Sequence, residues 1–530
     1  MKHLIGIDLG TTAAKCAVYT EEGTCVTDAQ EEMKIRYPRS GEAEQDAEDF
    51  YTVACRLIRA CLTTSGIDAK SVAGIAIDSQ MGGIMSVDRD FRAVTYYDTP
   101  LDSRSADENR FMHERCGDLI LKMNGSFSTF GNKILYWKKR EEWKKIHAFI
   151  QPSAFVSGRL AGLSGTQAYM DETFLCFSGL ADLEGSRWSE ELCDTLDVDS
   201  AKLPRIVKST DIIGATTRIA ARDTGLPVGI PIAAGCGDQT AGFVGAGILR
   251  KGQLVDVAGT ACILGACVDS FRFDAAHKTL ACVKSAVGGL YYLISVVLGG
   301  RTHNWFIEEF CKEEAQKIRA AGGDVYQALD DEAARIPPGS DGLISINYLQ
   351  GRFFPPEPSV RGLFIGHTWA HTRPHFYRAI LESIAYDHYL TRQIIRELLP
   401  DAELGTVTAI GSGARSPLWM QIKADVLQAP YESLLRSDLS TLGSALLAGF
   451  ATGTFAPGDD ATRRFVKVNR RIEPRPGEDV KYRKNIALYD ELFHALKGVY
   501  RRLAQPQPQA AGRLAEPADS SRNESRDENT

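Results

Sequence analysis

Gly6-Ile7-Asp8-Leu9-Gly10-Thr11-Thr12 closes an apolar run over residues 3–9 with an acid and a glycine, then passes into two hydroxyl residues. Glycine lets the backbone approach an anion closely, turn N–H groups point at phosphate oxygens, and threonine hydroxyls add donors. Asp8 can hold a magnesium ion through water, and Lys15 follows closely enough to add a positive charge. The same residues would also make a plain hairpin turn with a capping aspartate, so the stretch needs support from elsewhere in the chain.

Outward from this turn, strands over 3–9, 15–19 and 24–29 form an antiparallel meander, with a second turn at Glu22-Gly23. A helix over 46–62 and strands over 72–78 and 83–87 follow, the alternation of an α/β layer with a mixed sheet. Residues 101–196 are dominated by helical patterns and read as an insertion that shapes a substrate pocket. A second meander then spans strands over 252–258, 261–267, 280–285 and 290–298, with Gly259-Thr260 at its first turn. Both meanders set Gly-Thr after a strand, and the repetition predicts two similar lobes facing one another. An amphipathic stretch over 373–399, a strand over 406–410, and helices over 416–427, 441–451 and 484–503 complete the second lobe. The expected division is therefore 1–250 and 251–503, with the polar run 504–530 read as a disordered tail.

Two further segments carry chemistry. In Ala233-Ala234-Gly235-Cys236-Gly237-Asp238-Gln239-Thr240-Ala241-Gly242 a short apolar strand enters glycines and then an aspartate that opens a small-residue helix. Asp238 suits a structural N-cap. It also suits a general base, because the flanking glycines strip bulk from around the carboxylate and the helix allows another backbone or a ligand to pack tightly. In Ala409-Ile410-Gly411-Ser412-Gly413-Ala414-Arg415-Ser416 a strand runs through a Gly-x-Gly turn into a helix. The third glycine and the distant acid of a dinucleotide fingerprint are missing, which sets aside a Rossmann oxidoreductase.

A chain of 530 residues exceeds one hydrophobic core, so a cleft between lobes is expected. The 61 basic and 68 acidic residues give a net charge of -7, which favours no nucleic acid. No run approaches the roughly 18 apolar residues of a membrane span, so no membrane contact and a cytoplasmic location are expected. The 12 cysteines are scattered singly, without the spacing of a zinc site or a disulfide framework.

In this order the three segments resemble the FGGY family of carbohydrate kinases, xylulokinase-like, over about residues 2–503. Ser79-Gln80-Met81-Gly82-Gly83 is similar to the family's Gln-Met-His-Gly turn, Leu101-Asp102-Ser103-Arg104 to its Trp-x-Asp-x-Arg strand end, and Lys133, Leu135 and Trp137 to its Lys-Leu-x-Trp helix. The resemblance implies an actin-like ATPase (ribonuclease H-like) α/β fold with an interlobe cleft, ATP and Mg²⁺ as cofactors, and a sugar as the small-molecule partner; it leaves a homodimer open. It implies Asp238 as catalytic base, with Asp8 and Asp238 at the metal. Gly10, Thr11, Thr12, Lys15, Gly259, Thr260, Gly300, Asn304, Gly413 and Ala414 would meet the nucleotide, and Gln80, Met81, Asp102, Arg104, Asp238 and Gln239 the sugar. Gly82 stands in place of histidine and Pro100 in place of tryptophan, so the acceptor is left between xylulose, another ketose and a polyol. The rival from another class is a nucleotide-regulated, chaperone-type binding protein built on the same lobes.

Overall fold

A computed structural model of the chain describes residues 1–504. Ala504 ends the helix Lys497–Ala504, and the rest of the expected tail lies outside the described residues. Seven strands form the first sheet: β1 (His3–Leu9), β2 (Ala13–Thr20), β3 (Cys25–Glu32), β4 (Val72–Ser79), β5 (Ile212–Ala215), β6 (Pro231–Ala233) and β7 (Cys236–Gly237). Seven more form the second: β8 (Leu254–Ala258), β9 (Cys262–Val268), β10 (Ala281–Lys284), β11 (Tyr291–Val297), β12 (Val407–Ile410), β13 (Tyr431–Leu434) and β14 (Val468–Ile472).

The two sheets repeat one plan. Reading β3-β2-β1-β4-β6-β5, neighbours pair antiparallel, antiparallel, parallel, parallel, antiparallel. The order β11-β9-β8-β12-β13-β14 repeats that sequence of directions. Central strand β1 is buried at every residue, which is why it reads as a nearly continuous apolar run. Edge strand β3 alternates half-buried and exposed positions and carries the polar run Thr27-Asp28-Ala29-Gln30-Glu31-Glu32, which protects the open edge.

Helix α1 (Ala47–Ser65) is capped by the Asp46 side chain on Glu48 N–H and ended by left-handed Gly66, and it packs on β2 and β3. Helix Pro152–Ala161, inside the stretch read as an insertion, packs on α1 and β4 and so belongs to the body of the first lobe. The remainder of that stretch reaches the second sheet, where Cys282 N–H donates to the Gly125 carbonyl at 2.8 Å and Lys284 meets Glu172 at 2.5 Å.

Five further helices bear on the site: α2 (Asp238–Gly245), α3 (Gly299–Phe310), α4 (Val325–Ala333), α5 (Arg373–Leu398) and α6 (Pro417–Leu427). A sixth, α7 (Ser440–Ala451), crosses to the other lobe. Although it follows β13 of the second sheet, it packs on β1, β4 and α2 of the first lobe. The approach is close because glycines line it. A Cβ on Gly443 would fall 1.9 Å from the Ala241 carbonyl oxygen, one on Gly245 2.0 Å from that of Leu439, and one on Gly6 1.9 Å from that of Thr441. The sequence hides this docking, since Thr441 through Phe450 are all buried and the helix has no polar face to reveal which sheet it covers.

Candidate active site

Strand register builds the acidic centre. Parallel pairing sets Asp8 of β1 opposite Asp78 of β4, and β7 pairs Cys236 with Asp78, so Asp238 opens α2 just beyond. Asp78 Oδ2 accepts the Ser444 hydroxyl of α7 at 2.6 Å, which ties the first sheet to that helix. Asp238 Oδ1 accepts the Gln239 N–H at 2.7 Å, leaving Oδ2 for a substrate.

The three carboxyl groups perturb one another. Burial pushes Asp8 up to about 6, against the pull of Lys15. Burial and then the charge of Asp8 push Asp238 up to about 7, and the same two causes hold Asp78 well above the usual carboxylate range. Lys15 Nζ is the nearby cation, 3.7 Å from Asp8 Oδ2 and 3.8 Å from Asp438 Oδ1. Asp8 Oδ1 and Asp78 Oδ1 are buried with no donor. Surplus negative charge and orphaned oxygens suit a divalent cation. Among the described residues no three His, Cys, Asp or Glu side chains gather for direct ligation of a metal ion.

The expected phosphate turn and sugar turn are bound to each other. Thr11 Oγ1 donates to Gln80 Oε1 at 2.8 Å, Gln80 Nε2 to Gln45 Oε1 at 2.6 Å, and Gln45 Nε2 to the Thr11 carbonyl at 3.0 Å. Gln80 is thus committed to the turn, Gly10 N–H closes it on the Ala13 carbonyl, and Thr12 is exposed. Met81 packs against Gly237, where a Cβ would fall 2.4 Å from its sulfur. Gln239 Nε2 is buried with no acceptor. Asp102 and Arg104 join a cluster that the sequence reading had only in part: Arg104 donates from Nε to Asp102 at 2.8 Å and from Nη2 to Glu44 at 3.0 Å. Trp137 Nε1 donates to Asp98 Oδ2 at 2.6 Å, and the Lys133 ammonium rests on the Asp98 and Thr99 carbonyls. Burial raises Asp98 to about 7 and lowers Lys133 to about 8.

On the second lobe a cavity of about 590 Å³ is lined by Gly259, Thr260, Gly300, Asn304 and Gly413, five of the residues expected at the nucleotide. Ala414 lies buried in the same turn, outside the lining, and Asp238 is not at this wall. The fit between β8 and α3 depends on glycine, because a Cβ on Gly300 would sit 1.9 Å from the Gly259 carbonyl oxygen. Sequence reasoning missed Tyr326, Asp330 and Ser416, which complete the cavity. Tyr326 donates to Asn304 Oδ1 at 2.8 Å, and Asp330 accepts from Ser416 at 2.6 Å and Tyr377 at 3.1 Å. Tyr326 and Asp330 come from a helix with no local motif to mark them, whereas Ser416 ends the Gly-x-Gly segment and caps α6. Asp78 and Gln45 were missed as well, yet Asp78 had a signal: like Asp8, it ends an apolar strand.

Two sheets of one plan, with an acidic centre at the ends of β1 and β4 and a cavity beside the β8 turn, define the actin-like ATPase fold. The chain belongs to the FGGY family of carbohydrate kinases, matching its N-terminal domain over residues 3–245 and its C-terminal domain over 256–452. It is 27% identical to the xylulose kinase of Bacillus subtilis over 94% of this chain and 97% of that protein. It is 25% identical to the gluconokinase of the same organism, over 95% and 98%. The crystal structure of xylulose kinase from Rhodospirillum rubrum shares the fold, with a TM-score of 0.84 at 24% identity over 94% of this chain and 100% of that one. The protein is a carbohydrate kinase, and the chaperone-type alternative falls away.

Proposed function

We propose that the protein transfers the γ-phosphoryl group of ATP to a hydroxyl group of a neutral sugar, with a pentulose such as xylulose first and other ketoses or polyols next. The observation that carries this reading is the Asp238 carboxyl group close enough to Asp8 to feel its charge, with Oδ2 open and a pKa of about 7. A base poised near the working pH takes a hydroxyl proton most effectively. Asp238 Oδ2 receives that proton as the acceptor oxygen attacks, while the Thr11 and Thr12 N–H groups and the Thr12 and Thr260 hydroxyls, which the turns leave undonated, align the phosphates. Asp8 and Asp238, backed by Asp78, are the residues that would hold Mg²⁺, which when bound supplies positive charge for the phosphoryl oxygens. Closure of the lobes on the acceptor would keep water from competing.

Charge supports a neutral acceptor over an aldonate. Near the expected sugar residues Glu44, Asp98 and Asp102 outnumber Arg104 and Lys133, and Arg104 is already paired with all three acids. The guanidinium at this place is thus committed before any substrate carboxylate could reach it. The reading includes a cytoplasmic location and a homodimer, the latter checked by the mass in solution. Its test is ADP release from ATP and Mg²⁺ across ketoses, aldoses, polyols and gluconate, repeated with Asp238→Ala. A neutral acceptor should be turned over and the variant should be silent; turnover of gluconate alone would overturn the proposal.

A further inference from the structure

The segment that delivers Asp238 is held by side chains the reaction does not itself engage. β7 is only two residues long, and Gly235 must adopt a positive φ of 80° with no room for a Cβ, which would fall 1.9 Å from the Ile77 carbonyl oxygen. So short a strand fixes little by its own ladder. Three bonds from the region 169–209 supply the rest. Tyr169 Oη donates to the Ala234 carbonyl at 3.0 Å, Gly235 N–H donates to the Ser209 carbonyl at 3.0 Å, and Gly237 N–H donates to Thr173 Oγ1 at 2.9 Å.

Two of the three anchors, Thr173 and Ser209, converge on one carboxyl group, that of Asp171. An amide can only donate, so Thr173 Oγ1 accepts from Gly237 and its own proton goes to Asp171 Oδ1, 2.6 Å away. Asp171 Oδ1 also accepts the Thr173 N–H at 3.0 Å and the Ser209 hydroxyl at 3.2 Å. All three residues are at most 2% exposed. Gly237 is the N-cap of α2 and has no side chain with which to anchor itself, so the Thr173 hydroxyl fixes the peptide of the residue preceding Asp238.

We propose that Thr173, oriented by Asp171, is a positioning residue for phosphoryl transfer: it fixes the Gly237 peptide and thereby the place of the Asp238 carboxylate. This deepens the kinase reading by naming what holds its base. A base displaced by about 1 Å loses on the order of 10² in rate without losing substrate affinity. The test compares Thr173→Val, which keeps the shape and removes the hydroxyl group, with Thr173→Ser, which keeps the hydroxyl group. For the acceptor that the wild type turns over, Thr173→Val should lower kcat by about 10- to 100-fold while both KM values stay within about twofold, and Thr173→Ser should recover most of the loss. A second readout needs no turnover: hydrogen exchange over residues 234–239 should accelerate in Thr173→Val and return towards the wild-type rate in Thr173→Ser. Unchanged exchange together with unchanged kcat in Thr173→Val would overturn the inference, as would a loss confined to the acceptor KM. Because exchange is measured without any acceptor, a failure of the kinase reading would show in the acceptor panel and a failure of this inference in the exchange data.

Discussion

Gly443→Ala adds one methyl group where α7 crosses α2. The new Cβ would lie 1.9 Å from the Ala241 carbonyl oxygen and 2.6 Å from its carbon, where real Cβ contacts under 3.0 Å essentially do not occur. The neighbour is backbone within a helix and cannot swing aside, so the two helices must part by about 1 Å, an overpacking that costs about 1–3 kcal/mol. Asp238 is the first residue of α2 and moves with it. A shift of that size at a catalytic group costs about 100-fold in rate. Steady-state kinetics and a melting curve on one preparation should therefore show a lower kcat and a lower melting temperature together. Gly498→Ala is the control, since a Cβ there meets nothing within 4 Å, and it should leave kcat unchanged without lowering the melting temperature. A Gly443→Ala protein with wild-type kcat and melting temperature would refute the claim that this crossing sets the position of the base.

Two other outcomes follow from the second lobe. Gly300→Ala drives a methyl group to 1.9 Å from the Gly259 carbonyl oxygen and should raise the KM for ATP more than tenfold, by about 1.4 kcal/mol or more, with the acceptor KM little changed. Lys423→Met leaves the buried Asp256 carboxylate without its 2.7 Å partner and should cost about 3–5 kcal/mol at neutral pH. Burial alone would raise the Asp256 pKa, but Lys423 and His388 overcome it and hold the group below its unfolded value. The stability this pair contributes is therefore present above the ordinary carboxylate range near pH 4 and lost as acid protonates the group. The gap between the melting temperatures of wild type and Lys423→Met should narrow as the pH falls from 7 to 3; a constant gap would contradict the assignment.

The main outlines were legible because they rest on short-range patterns. An apolar strand that stops at an acid and Gly-Thr marked β1, and its echo at Gly259-Thr260 predicted two sheets that do share one order of strand directions. Asp238 stood out through its flanking glycines, and the small-residue helix that follows it is where another backbone packs tightly, α7 meeting α2 at Gly245. What escaped depends on contacts distant in sequence. Ser444 reaches Asp78 across 366 residues, and Thr173 reaches Gly237 across 64. Neither hydroxyl group differs in sequence from an ordinary helix or loop residue. The docking of α7 on the first lobe escaped for a related reason, since a helix that is apolar all round specifies burial but no partner.

The account turns on a proton leaving the acceptor for Asp238 Oδ2. The most direct measurement is the single-turnover rate of phosphoryl transfer in Asp238→Asn, with ATP and acceptor both saturating and their affinities measured separately. Loss of about 10² to 10⁴ in rate with both ligands still bound is the predicted result. Transfer within tenfold of the wild-type rate would contradict it.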